Sequence, residues 1–161
     1  MTSLPATILE AAVTRDILAP MAVIRRAGMP DRDELMPLIR EFYAVDRHEF
    51  DPDRVARGLD PLLADDTHGQ VWLAGDGGYA VVTWGWSLES GGREALLDEI
   101  YVRDRGRGVG RELLSHAMAA AAKAGATRMF LETEAHNERV RAFYASLGFA
   151  HEDSTWMSAD L

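Results

Sequence analysis

Between Ile100 and Leu114 the chain reads Ile-Tyr-Val-Arg-Asp-Arg-Gly-Arg-Gly-Val-Gly-Arg-Glu-Leu-Leu. Its β-branched start reads as a strand end. Leu113, Leu114, Ala117, Met118 and Ala121 then recur at helical spacing until Gly125 stops the run. A strand that passes through alternating glycines straight into a helix is one step of a chain whose strands alternate with helices around a central meander, and that pattern gives a mixed α/β sheet. Glycines at 106, 108 and 110 permit positive φ and close approach of a ligand to the backbone. The helix start adds unpaired N–H groups and the positive end of its dipole. Residues 101–111 hold four arginines against one aspartate, a local +3 in a chain of net charge −9. Two readings compete: a tight turn with solvated arginines, or a site for a small polyphosphate.

Known phosphate fingerprints are excluded. No Gly-Lys pair exists for a nucleotide-hydrolase loop. The dinucleotide spacing fails in both frames, since Arg111 or Leu113 occupies the third glycine position. The net charge argues against a polyanion-binding or anionic-membrane surface. With no cysteine among 161 residues, thiol nucleophiles, disulfides and Cys-ligated metals are excluded. His48, His68, His116, His136 and His151 show no ligand spacing, so no metal is expected. The absence of a basic-apolar leader or an 18-residue apolar run sets the expectation of a soluble cytoplasmic protein.

Residues 1–20 read as an appendage with a candidate helix at Ile8–Leu18, and residues 21–161 as one domain. Ala22–Arg26 reads as a strand and Asp31 as the cap of a helix striped by Leu35, Leu38, Ile39, Phe42 and Tyr43. Asp51-Pro52 opens a second helix lined by Val55, Leu59, Leu62 and Leu63. Gln70–Ala74, Tyr79–Leu88 and Ala95–Val102 read as an antiparallel meander. Met129–Thr133 is a further strand, Asn137 caps a helix ending at Gly148, and Phe149–Asp153 and Thr155–Ala159 are candidate last strands. Trp84 and Trp86 alternate on one strand face, as core or as pocket wall, with core favoured.

Arg105-Gly-Arg-Gly108-Val-Gly110 resembles the Arg/Gln-x-x-Gly-x-Gly/Ala signature of the GNAT superfamily of acyl-CoA-dependent N-acyltransferases. Asn137, Tyr144, Gly148 and Phe149 resemble the later motif of the same family, in the right order. The resemblance implies a mixed α/β fold: a central, mostly antiparallel twisted sheet of about six to seven strands flanked by about four helices. It also implies acetyl-CoA as co-substrate, held by Ile100, Tyr101 and Val102 at the strand end. Arg105, Gly106, Arg107, Gly108, Val109, Gly110 and Arg111 of the loop, and Asn137, Arg141 and Tyr144 of the later helix, complete that set. One departure stands out: only Arg103 and Asp104 separate Val102 from Arg105, a shorter spacer than the family's, without its proline.

Acyl transfer to an amine needs a base, because such amines are protonated near neutral pH. On an unbroken strand Asp98 shares a face with Ile100 and Val102, and Glu99 shares the other with Tyr101. If the apolar pair meets the helix layer, Glu99 faces the acceptor and is the base, with Asp98 second; a bulge would invert that choice. By spacing Tyr144 completes the stripe of Val140, Phe143 and Leu147; by resemblance it is the acid for the leaving thiolate. Residues 41–66 carry eight carboxylates against three arginines, either a solvated face or a field for a cationic acceptor. The leading expectation is therefore acetyl transfer to a primary amine of a small, cationic molecule by direct attack in a ternary complex. A non-catalytic acyl-CoA sensor and acetylation of a protein amine are the alternatives; a homodimer is a possible assembly.

Overall fold

In the computed structural model the described residues are 22–75 and 77–160. The reading of residues 1–20 lies outside them.

Five strands form one sheet in chain order: β1 (Ile24–Arg26), β2 (Gly69–Ala74), β3 (Gly78–Ser87), β4 (Gly92–Val102) and β5 (Met129–Leu131). The first three neighbour pairings are antiparallel and β4–β5 is parallel. The parallel pair is reached through α3 (Val109–Lys123), as a crossover connection requires. The helices α1 (Arg32–Asp46) and α2 (Pro52–Ala64) cover one face of the sheet. The other face is covered by α3, with α4 (Glu138–Ala145) packed beside it.

Strand alternation sorts the core into two layers. Val71, Leu73, Tyr79 and Val81 meet Leu35, Leu38, Leu59 and Leu63 of α1 and α2. Ala74, Ala80, Val82 and Leu97 meet Leu113, Leu114, Ala117 and Ala121 of α3. Local chemistry sets the helix limits. Asp51 Oδ1 accepts from the N–H groups of Asp53 (2.9 Å) and Arg54 (3.1 Å), with Pro52 in the first turn. Asp31 occupies the cap position of α1, but its carboxylate turns back to the Gly28 N–H at 2.8 Å across a short 3-10 turn.

The sheet has five strands among the described residues, not six to seven. The two candidate strands at Phe149–Asp153 and Thr155–Ala159 are irregular chain. Phe149 stacks edge-on against Tyr144. Beyond it every residue from Ala150 to Asp160 is exposed. Neighbouring Trp156 and Met157 are both exposed, so this stretch has no buried face to set a strand register. An Arg128–Glu152 pair ties it to the chain before β5.

Candidate active site

β4 carries the decisive irregularity. Val81 pairs with Glu99 but Val82 pairs with Leu97, which leaves Asp98 as the extra residue of a β-bulge. Leu97 faces α3, and so do Ile100 and Val102. The parity slip between Leu97 and Ile100 sends both Asp98 and Glu99 to the α1/α2 side. The bulge falls one residue before Glu99, so it keeps Glu99 on the expected side and brings Asp98 beside it.

Both carboxylates line a cavity of about 540 Å³. Its apolar wall is built by Ile39, Val55, Leu59, Leu62 and Val81. Tyr43 and Thr83 add hydroxyls, and the exposed Arg54 and His68 complete the polar lining. Tyr43 Oη donates to Glu99 Oε1 at 2.9 Å, and Tyr79 Oη donates to Glu99 Oε2 at 2.7 Å. Burial raises the Glu99 carboxyl above its ordinary range, while the two phenol donors oppose that rise. Asp98 sits exposed at the rim of the cavity, and partial desolvation there raises its carboxyl as well. Tyr43 is pushed up to about 12, first by burial and then by the Glu99 charge. Tyr79, fully buried, is raised for the same reasons. Both phenols therefore keep their protons and serve as donors.

On the other side of β4 lies the glycine loop. β5 pairs with β4 only from Ala95 to Leu97, so among the described residues no strand lies beside the outer edge of β4 from Asp98 to Val102. Gly106 and Gly108 adopt φ of +88° and +85°, and a Cβ built on either meets open space. Gly108 caps α3, and among the described residues the N–H groups of Gly108, Val109 and Gly110 have no acceptor. Arg105 is exposed, and Arg107 lies 3.7 Å from Asp104. Arg111 donates to Ser146 Oγ just beyond α4 and so ties the first turn of α3 to that helix. Arg103, part of the local +3, is taken by a double hydrogen bond to Glu41. Tyr101 turns to the α1 side, its hydroxyl 3.2 Å from the same Glu41. Ile100 and Val102 pack on the α3 side.

Asn137 caps α4, its Oδ1 accepting from the Val140 N–H at 3.2 Å. Arg141 is exposed on the same helix. Tyr144 packs against Phe143 and Phe149, and burial raises its phenol. Trp84 is half-buried against the α3 layer, whereas Trp86 is 76% exposed and belongs to neither core nor cavity. His136 is an exposed partner of Glu134.

None of the eight carboxylates counted between residues 41 and 66 lines the cavity. Glu41, Asp60 and Asp66 pair with Arg103, Arg32 and Arg26. Asp46 bonds His48, Asp51 caps α2, and Asp65 holds the Thr67 N–H. The residues that do complete the site, Tyr43, Tyr79, Arg54 and His68, drew no functional reading from the sequence. Only Tyr43 carried a signal, as a tyrosine inside an apolar helical stripe, whose buried hydroxyl must find a partner.

The mixed sheet thus carries a glycine-loop helix start on one side of β4 and, at the bulge, two adjoining carboxylates on the other. The chain belongs to the acetyltransferase (GNAT) family, whose sequence model matches residues 32–149. No curated protein sequence matches significantly. A provisionally assigned acetyltransferase from Arthrobacter sp. FB24 is 27% identical with a TM-score of 0.77, over 91% of this chain and all of that one. The integron cassette protein HFX_CASS3 from the Cole Harbour Salt Marsh metagenome is 28% identical with a TM-score of 0.76, over 86% of this chain and 90% of the other. The aminoglycoside acetyltransferase meta-AAC0020 from a soil metagenome, solved with sisomicin, shares the fold at 20% identity and a TM-score of 0.73, over 88% of this chain and 97% of the other.

The family generally uses acetyl-CoA. The glycine loop fits its pyrophosphate in kind: free N–H groups, positive-φ glycines with no side chain in the way, and arginines at the rim. Among the described residues no cluster of His, Asp or Glu is arranged to hold a metal. No described helix is long and apolar enough to cross a membrane.

Proposed function

We propose that the protein is an N-acetyltransferase moving an acetyl group from acetyl-CoA to a primary amine of a small molecule, by direct attack in a ternary complex. The carrying observation is the bulge that turns Asp98 and Glu99 together into one cavity while the glycine loop opens beside the same strand. Residues 21–161 act as one cytoplasmic catalytic domain in this reading.

Acetyl-CoA supplies an activated acetyl thioester. The N–H groups of Gly108, Val109 and Gly110 with Arg105, Arg107 and Arg111 would hold its phosphates. The free edge of β4 at Ile100, Tyr101 and Val102, with Gly106, Asn137 and Arg141, would border its arm. The acceptor arrives as an ammonium, drawn by the carboxylates. Glu99, held by two phenols, takes the ammonium proton and frees the nitrogen lone pair; Asp98 assists by holding the cation. Tyr144 keeps its proton because burial raises its phenol, and so can donate to the departing thiolate. With no cysteine in the chain, no thiol-borne acyl-enzyme can form.

Calorimetric titration with acetyl-CoA, followed by thiol release in the presence of an amine panel, tests this reading. Binding and amine-dependent release are expected. Glu99→Gln should keep acetyl-CoA binding and lower kcat/KM by about 10²–10⁴-fold, the usual worth of a general base. Absence of binding at millimolar acetyl-CoA overturns the reading. Binding with no release by any amine is the signature of a non-catalytic acyl-CoA sensor.

A further inference from the structure

The geometry points to a monoamine on an apolar body as the acceptor, and against a polycation. This deepens the proposed N-acetyltransferase reading and rests on it. The cavity holds its negative charge in one place, Asp98 and Glu99, which adjoin on β4. Most of the remaining wall is hydrocarbon, from Ile39, Val55, Leu59, Leu62 and Val81, interrupted by the Tyr43 and Thr83 hydroxyls and by His68 at the exposed rim. The other formal charge in the lining is Arg54, a cation fixed by donating to the Glu49 carbonyl at 2.7 Å. The carboxylates of α1, α2 and the following turn that could have received further ammonium groups are spent on Arg103, Arg32, Arg26 and the α2 cap, or lie outside the lining. A ligand with one ammonium at the carboxylates and an apolar body matches both the charge and the larger, hydrocarbon part of the wall. A second ammonium on that body would be desolvated against leucine and valine, or set beside Arg54, with no counter-charge.

Two comparisons read this directly. The first is kcat/KM along propyl-, butyl-, pentyl- and hexylamine with saturating acetyl-CoA. It should climb about fourfold per methylene until the cavity is filled, the factor equivalent to about 0.8 kcal/mol per buried methylene. The second compares hexylamine with 1,5-diaminopentane, which has the same heavy-atom count but ends in a second ammonium. Hexylamine should be the better acceptor by at least about tenfold. Acetyl-CoA binding is measured alongside. A flat chain-length series, or a preference for the diamine, with thiol release intact, overturns the apolar-amine inference and leaves the acetyltransferase reading standing. No thiol release with any amine, despite acetyl-CoA binding, overturns both.

Discussion

Glu99 is held between opposing influences. Burial beneath α1 favours its neutral form, and the Tyr43 and Tyr79 hydroxyls, one on each oxygen, favour the anion. Removing the Tyr79 hydroxyl takes away one of the two hydrogen bonds that favour the Glu99 anion, so the carboxyl must rise further. A base with a raised pKa becomes active only at higher pH. Tyr79→Phe should therefore move the acid limb of the kcat/KM profile to higher pH. The rate on that limb should fall by about 10- to 100-fold, the order expected from a lost charge-assisted hydrogen bond of about 1.5–3 kcal/mol. The plateau above the limb should survive. A packing defect would lower the plateau and leave the limb in place, so the profile separates positioning from damage. The side of the sheet that Glu99 faces was legible in the sequence, because Ile100 and Val102 fix which face meets α3. The phenol pair was not. Tyr43 and Tyr79 lie on different elements, and nothing local in Leu96-Leu97-Asp98-Glu99, with neither glycine nor proline, announces a bulge.

At the level of elements, the legible parts are those whose limits rest on local chemistry. Asp51-Pro52 opens α2, Asn137 opens α4, and Gly125 at φ +91° follows α3. The last two candidate strands do not form, because apolar character in a short run does not supply a pairing partner and β5 offers only three paired residues. The α3 start is where element and ligand coincide. Gly108 is its cap at φ +85°, and a Cβ there meets no atom, so an alanine is opposed by backbone strain alone. Gly108→Ala should cost about 1–2 kcal/mol of stability. In a domain of this size that is roughly 2–8 °C in Tm. It should also weaken acetyl-CoA binding in calorimetry by more than tenfold, since the loop must re-aim the N–H groups of Val109 and Gly110 to relieve the strain. Loss of Tm with full affinity would separate the cap from the ligand site and refute the proposed pyrophosphate contact.

Across the whole molecule, charge is distributed rather than accumulated. The net −9 and the acidic stretch at 41–66 suggest a field that gathers cations, yet six of its eight carboxylates are committed to arginines, a histidine or backbone N–H groups. Glu49 and Asp53 remain exposed, and neither lines the cavity. At physiological ionic strength a surface charge is screened beyond about 8 Å, and isolated surface charges contribute about 0–1 kcal/mol. The double substitution Glu49→Gln/Asp53→Asn should therefore leave the amine KM within about twofold at 0.15 M salt. Asp98→Asn, which removes charge from the cavity lining itself, should raise it by about tenfold or more, on the order of one lost charged hydrogen bond. Steady-state KM for hexylamine on the three proteins, with acetyl-CoA saturating, decides between a local and a global field. An equal rise in both variants would show that the acidic helices draw the acceptor after all. A rise confined to Asp98→Asn places recognition in the two adjoining carboxylates that the bulge sets at the cavity.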